Sequence, residues 1–154
     1  YIFEVNMPIL ISACLCGLNC KYNGANNLHP KVQALMEKEV LIPVCPEQLG
    51  GLPTPRLSAE IQKGTGQDVL EGKSRVMNKS GDDVTAQFIK GAQETLKLAQ
   101  ITHCHLAILK SRSPSCGFGL IYDGSFSGKL IPGNGVTAQL LLNNNIKIMQ
   151  PDDL

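Results

Sequence analysis

Three short apolar runs, each delivering a cysteine at its carboxyl end, constrain this chain more than any other feature. Ile9-Leu10-Ile11-Ser12-Ala13 leads into Cys14, and Val40-Leu41-Ile42-Pro43-Val44 leads into Cys45. Leu106-Ala107-Ile108-Leu109 is followed, after Lys110-Ser111-Arg112, by Ser113-Pro114-Ser115-Cys116-Gly117. Runs of this length and composition predict buried β-strands. If the strands are parallel, their carboxyl ends share one edge of the sheet, where α/β proteins hold ligands. Three thiols then meet there, beside a sharp polar turn that carries two hydroxyls and a glycine.

The segments between the runs supply the crossovers that parallel strands require. Pro30 suits a first helical turn, and Val32, Leu35 and Met36 continue at helical spacing to about residue 38. A longer helix is predicted over 85–100, with Phe88, Ala92, Leu96 and Ala99 along one face and Asp82 and Asp83 as caps. Thr137 is positioned to cap a short helix to residue 143, and 146–149 reads as a last strand. Residues 14–24 read as a loop, and 46–56, with three prolines, two adjacent glycines and Arg56 at the end, as an extended loop able to cover a site. The stretch 58–81 is glycine-rich, with β-prone pieces at 68–70 and 74–77. Gly133-Asn134-Gly135 reads as turn chemistry, since it lacks the setting of a dinucleotide fingerprint. Strand and helix alternate, which predicts a three-layer, Rossmann-like α/β fold: a mostly parallel sheet with helices on both faces.

With 154 residues, 43% of them hydrophobic and 18% charged, the chain has the size and composition of one globular domain. A formal net charge of +1 supplies no basic field for a long nucleic acid. No apolar run approaches the roughly 18 to 20 residues that cross a bilayer. The first residues lack a secretory pattern, so a cytoplasmic protein without a membrane partner is expected. Tyr1 to Asn6 precede Met7, a candidate initiator, and read as an upstream extension or expression remnant. Six cysteines in such a chain point to reduced thiols with catalytic or metal-binding roles, not to a disulfide scaffold. Cys16 and Cys20 read as packing or incidental thiols, with substitute ligands or a resolving pair as alternatives. Cys104 lies between His103 and His105, but consecutive strand residues alternate faces, which disfavours joint zinc ligation. Glu47, on the proline-flanked loop just past Cys45, reads as a functional carboxylate or a solvated one, and Arg56, Lys110 and Arg112 as contacts to a ligand oxygen or phosphate or as surface charges, with Arg56 the best placed.

Several motifs together resemble one family. They are Ile11-Ser12-Ala13-Cys14-Leu15 with Tyr22 and Gly24, Pro43-Val44-Cys45-Pro46-Glu47-Gln48-Leu49-Gly50-Gly51 with Pro53-Thr54-Pro55-Arg56, Asp83-Val84-Thr85 with Phe88, Gly91 and Ala92, Leu109 to Gly117, and Tyr122-Asp123-Gly124. In this order they resemble a bacterial domain-of-unknown-function family that includes the iron-sulfur thiouracil desulfidases. The resemblance runs from about Met7 to the C-terminus and implies one desulfidase-like domain over 7–154. It implies a [4Fe-4S] cluster held by Cys14, Cys45 and Cys116 with one iron open. It further implies Glu47 as the acidic catalytic residue and Ser113 as its serine partner, with Ser115 adjacent and not excluded by sequence. Arg56 and Ser115 are then candidate substrate contacts.

The resemblance therefore implies non-redox desulfuration of a thiolated uracil base, nucleoside or nucleotide, with a small thiolated pyrimidine as the partner molecule. A cluster-free thiol redox or sulfur-transfer protein, with Cys116 as nucleophile, is the alternative, and a metal or cluster carrier the third. Glu47 and Ser113 separate them, because hydrolytic desulfuration needs both and a carrier has little use for either.

Overall fold

The computed structural model of the protein describes residues 7–154. The segment Tyr1 to Asn6, read above as an extension, lies outside the described residues.

The three predicted apolar runs form β1 (Ile9–Ser12), β2 (Leu41–Val44) and β5 (Leu106–Ile108), and β8 (Lys147–Met149) is the fourth strand of the same sheet. The order is β2-β1-β5-β8, every pair parallel, with Leu10 opposite Ile42 and Ala107 and with Ala107 opposite Ile148. The strand period of two divides the side chains between the faces. Ile11 and Ile108 pack with Leu15, and with Val32 and Leu35 of α1 (Pro30–Leu35), on one face. Leu10, Ala107 and Ile148 pack on the other with Ala99 of α4 (Thr85–Ile101) and with Ala138 and Leu141 of α5 (Val136–Asn143). This is the expected three-layer Rossmann-like arrangement. Among the described residues no helix is long and apolar enough to cross a membrane.

A second body of structure lies beside the sheet. Strands β3 (Ala59–Gln62) and β4 (Arg75–Asn78) pair antiparallel, as do β6 (Leu120–Tyr122) and β7 (Leu130–Pro132). Ile61, Val76 and Ile121 from these pairs share a core with Phe88 and Ala92 of α4. Helix α4 thus serves two cores, one facing the parallel sheet and one facing the antiparallel pairs.

Several sequence expectations give way to local chemistry. The β-prone piece at 68–70 is instead part of α3 (Gly66–Leu70), because Asp68 reaches back to accept the Thr65 amide at 2.8 Å and closes a helical first turn. The loop at 46–56 begins with a turn of helix, α2 (Pro46–Leu49), which Pro46 opens as a first-turn proline. Helix α1 stops at Leu35, three residues short of the expected end. At the start of α4, Asp83 accepts the Thr85 amide at 2.9 Å, whereas Asp82 pairs with Asn78 in the preceding turn. Thr137 does not cap α5: the amides of Val136 and Ala138 donate to the carbonyls of Pro114 and Ser115, at 2.8 and 3.0 Å. Its hydroxyl is buried and has no hydrogen-bond partner among the described residues.

Candidate functional site

The carboxyl edge of the parallel sheet opens into a cavity of about 470 Å³. Cys14, Cys45, Glu47, Arg56, Ser113, Ser115 and Cys116, the residues singled out from the sequence, all line it. Lys110 and Arg112 line it too.

Each thiol arrives by a different local device. Cys14 follows β1 directly, in a 3-10 turn over Ala13–Cys16 that Gly17 ends with φ of 91°. Cys45 occupies the N-cap position of α2, which places Glu47 in that helix's first turn. Gly50 and Gly91 let α2 lie directly on α4, since a Cβ on either would stand 2.0 Å from a carbonyl oxygen, of Gln87 and of Pro46 respectively. Cys116 belongs to the turn after β5. Gly117 donates to the Ser113 carbonyl at 2.8 Å, and a Cβ on Gly117 would come within 2.5 Å of that oxygen.

Burial raises the Cys14 and Cys116 thiols above the ordinary range, and the neighbouring cysteines of the cavity add to the rise. Hydrogen bonds oppose it, from Asn27 at Cys14 and from Ser12 at Cys116. Cys20 is 5% exposed, lines the same cavity and is pushed up to about 12, first by burial and then by Cys45 and Cys14. Cys20 is thus a fourth thiol of the cavity wall, and it is buried, as a packing thiol would be. Cys104 lies elsewhere, in the core under α4 and α5, 3.2 Å from the Thr102 hydroxyl. All six thiols are free.

The polar groups form one connected chain. Arg56 donates through Nε to Glu47 Oε1 at 3.0 Å, and Ser115 Oγ donates to Glu47 Oε2 at 2.9 Å, so both carboxylate oxygens are held. Ser113 Oγ lies 2.8 Å from Ser115 Oγ and accepts the amides of Ser115 and Cys116, at 3.1 and 3.2 Å. A hydroxyl carries one proton, and the carboxylate takes that of Ser115. Ser113 therefore donates to Ser115, and the direction of the chain is Ser113 to Ser115 to Glu47. Arg56 and Glu47 side chains are only 6% and 16% exposed. Arg56 also donates to the Cys20 carbonyl at 2.9 Å, and its Nη2 lies 4.0 Å from Cys45 Sγ.

This donor set suits an iron-sulfur cluster. Its thiols come from three separate segments around one cavity, and thiolates are the usual ligands of such clusters. Among the described residues, no three His, Cys, Asp or Glu side chains are grouped tightly enough to share a single metal ion. The same holds at His103, Cys104 and His105. Some lining residues escaped the sequence reading. Ser12 looked like part of an apolar run, and Asn27, Glu60, Lys79 and Phe126 lie in segments with no motif of their own.

Residues 9–153 match the family model described as 2-thiouracil desulfurase. The chain is 45% identical over 146 residues to the uncharacterized protein YbbK of Bacillus subtilis (strain 168), covering 95% of this chain and 97% of that one. Among solved structures it is similar to the [4Fe-4S]-dependent thiouracil desulfidase TudS (DUF523Vcz), with a TM-score of 0.84 and 38% identity over 96% of this chain and 92% of that chain. A family match over nearly the whole chain, joined by a relative of 45% identity and a solved structure of the same fold, leads to one conclusion: the chain belongs to the 2-thiouracil desulfurase family.

Proposed function

We propose that this chain is a desulfidase that replaces the sulfur of a thiolated uracil base, nucleoside or nucleotide by oxygen, releasing sulfide without net redox change. The observation that carries the reading is the Glu47 carboxylate, held from both sides by Arg56 and Ser115 in a cavity that also presents three strand-end thiols. Cys14, Cys45 and Cys116 would hold the [4Fe-4S] cluster. When bound, such a cluster offers an iron without a protein ligand that can accept the thiocarbonyl sulfur and polarise the carbon bearing it.

The chain's own residues do the rest. Glu47 takes a proton from water as the water oxygen bonds to that carbon, and the carbon-sulfur bond breaks with its electron pair leaving on sulfur. The second water proton leaves the added oxygen as the carbonyl forms, and both protons, the one held on Glu47 included, pass to the departing sulfide, so that thiocarbonyl and water become carbonyl and hydrogen sulfide. Ser115 fixes which oxygen of Glu47 faces the reactants, and Ser113 steadies Ser115 from behind while holding the turn through two amides. Arg56 holds the other carboxylate oxygen of Glu47, and its bond to the Cys20 carbonyl ties the first loop to the site.

The test is anaerobic reconstitution with iron and sulfide, followed by incubation with 2-thiouracil. One sulfide released per uracil formed supports the reading. A reconstituted protein that releases no sulfide, but forms or exchanges disulfides at Cys116, supports the thiol redox alternative.

A further inference from the structure

Phe126 is a residue that neither the turn nor the core accounts for. It sits in the β6–β7 connection at φ of 57°, a left-handed conformation that a bulky side chain adopts at a cost, between Gly124 at 96° and Gly128 at 82°. A glycine would serve that backbone better. Among the described residues, partly buried Phe126 belongs to none of the three hydrophobic clusters. What it does is line the cavity.

The conformation is held from outside the connection. Glu60 of β3 is 8% exposed, and its Oε1 accepts two amides there, Gly124 at 2.9 Å and Phe126 at 3.2 Å. Gln62, two residues along the same strand, donates to the Gly124 carbonyl at 2.9 Å. A Cβ on Gly124 would stand 2.7 Å from the Ile61 carbonyl, so the connection lies directly on β3. A buried carboxylate with two charge-assisted bonds to one backbone segment fixes that segment before any ligand arrives.

We propose that Phe126 is the aromatic wall against which the flat pyrimidine ring of the substrate lies, and that Glu60 is the positioning residue that holds this wall in place. The identity of the ring rests on the desulfidase reading; the wall itself rests on the geometry. An aromatic face accepts a planar heterocycle regardless of its exocyclic atoms, so it contributes alike to substrate and product. Loss of the wall should therefore weaken binding and leave the chemical step nearly untouched.

Reconstituted parent, Phe126→Gly, Phe126→Leu, Phe126→Tyr, Glu60→Ala and Glu60→Gln proteins are compared by equilibrium binding of uracil in calorimetry, by KM and kcat for 2-thiouracil, and by thermal unfolding. Phe126→Gly suits the backbone, so it unfolds no earlier than the parent, yet uracil binding weakens and KM rises, each by about tenfold, with kcat little changed. Phe126→Tyr matches the parent, and Phe126→Leu, apolar but not planar, falls between. Glu60→Ala reproduces the KM effect without adding to Phe126→Gly in the double variant, and Glu60→Gln, which keeps an acceptor oxygen, restores it. Parental uracil binding by Phe126→Gly, or a Phe126→Leu protein equal to the parent, would overturn the proposal. A parent that binds uracil in a Phe126-dependent way but frees no sulfide from 2-thiouracil would overturn the desulfidase reading and leave the wall standing. A parent that binds neither compound would overturn both.

Discussion

On one side of the cavity, Cys14, Cys45 and Glu47 sit within three residues of the end of a parallel strand, and Ser115 and Cys116 lie in the turn after β5, seven and eight residues past Ile108. On the other side, Glu60, Tyr122 and Phe126 come from two antiparallel pairs that the parallel sheet does not hydrogen-bond. The strand-end side carries the reactive groups, on segments whose position follows from a buried ladder and from helices packed on both faces. The hairpin side carries shape: its strands share a core with α4, and its β6–β7 connection is held to β3 by side-chain bonds such as those of Glu60. A strand end can hold a thiol or carboxylate tightly enough for proton transfer, because its register is set by the core. A hairpin connection can be exchanged without disturbing that register, so it is where the shape of the accepted ring is expected to be set.

This division predicts a graded series of effects. The largest belongs to Glu47: Glu47→Gln should lower sulfide release by roughly 10²–10⁴-fold while iron content stays at the parental level, measured by steady-state sulfide assay beside iron analysis. A loss of only about twofold would contradict the role of Glu47. Next come the two serines. Ser115→Ala should reduce turnover by about tenfold or more, since it frees one carboxylate oxygen, as expected for a lost charge-assisted bond worth roughly 1.5–3 kcal/mol. Ser113→Ala should reduce turnover less, because it reaches the carboxylate only through Ser115, and should cost about 1 kcal/mol in urea unfolding through the two amides it leaves. If Ser113→Ala is the slower enzyme of the two, the order of the proton chain is reversed.

Smaller effects sharpen the structural half of the comparison. Gly91→Ala places a methyl 2.0 Å from the Pro46 carbonyl oxygen, so it must push α2 from α4. We expect a loss of about 1–3 kcal/mol, seen as a Tm lower by several degrees, against the gain in helix propensity that alanine would otherwise bring. The smallest effect belongs to Asp83, at the start of α4. Hydrogen bonds from Thr85 and then Arg75 lower its carboxyl to about 2. With the folded value below the unfolded one, its contribution is present above pH about 4 and is lost as pH falls toward 2. Exposure screens it, so Asp83→Ala should cost only a few tenths of a kcal/mol at pH 7, and that difference should vanish by pH about 2.

The same comparison explains what the amino-acid sequence reveals. The parallel sheet was legible because an apolar run such as 106–109 admits few structures other than a buried strand. The strand-end cysteines were then placed by connectivity alone. The antiparallel side was obscure because its elements are three or four residues long and their pattern competes with local bonds. Val69 looks β-prone, but the bond from Thr65 to Asp68 makes it helical. Glu60 resembles any solvated glutamate until Gly124 and Phe126, more than sixty residues away, are seen to donate to it. Cys20 is a similar case: no spacing in the sequence shows that Arg56 donates to its carbonyl, a contact across 36 residues that ties it to the cavity wall. Ser113 and Ser115 differ in role only through geometry, since both stand in one tripeptide.

The central claim is that Cys14, Cys45 and Cys116 act as one ligand set, and iron and acid-labile sulfide content after anaerobic reconstitution tests it most directly. Parent protein should hold iron and sulfide in the equal amounts of a cubane, and Cys14→Ala, Cys45→Ala and Cys116→Ala should each lose most of both, while Cys104→Ala keeps them. A Cys116→Ala protein that retains the parental iron and sulfide would contradict the account.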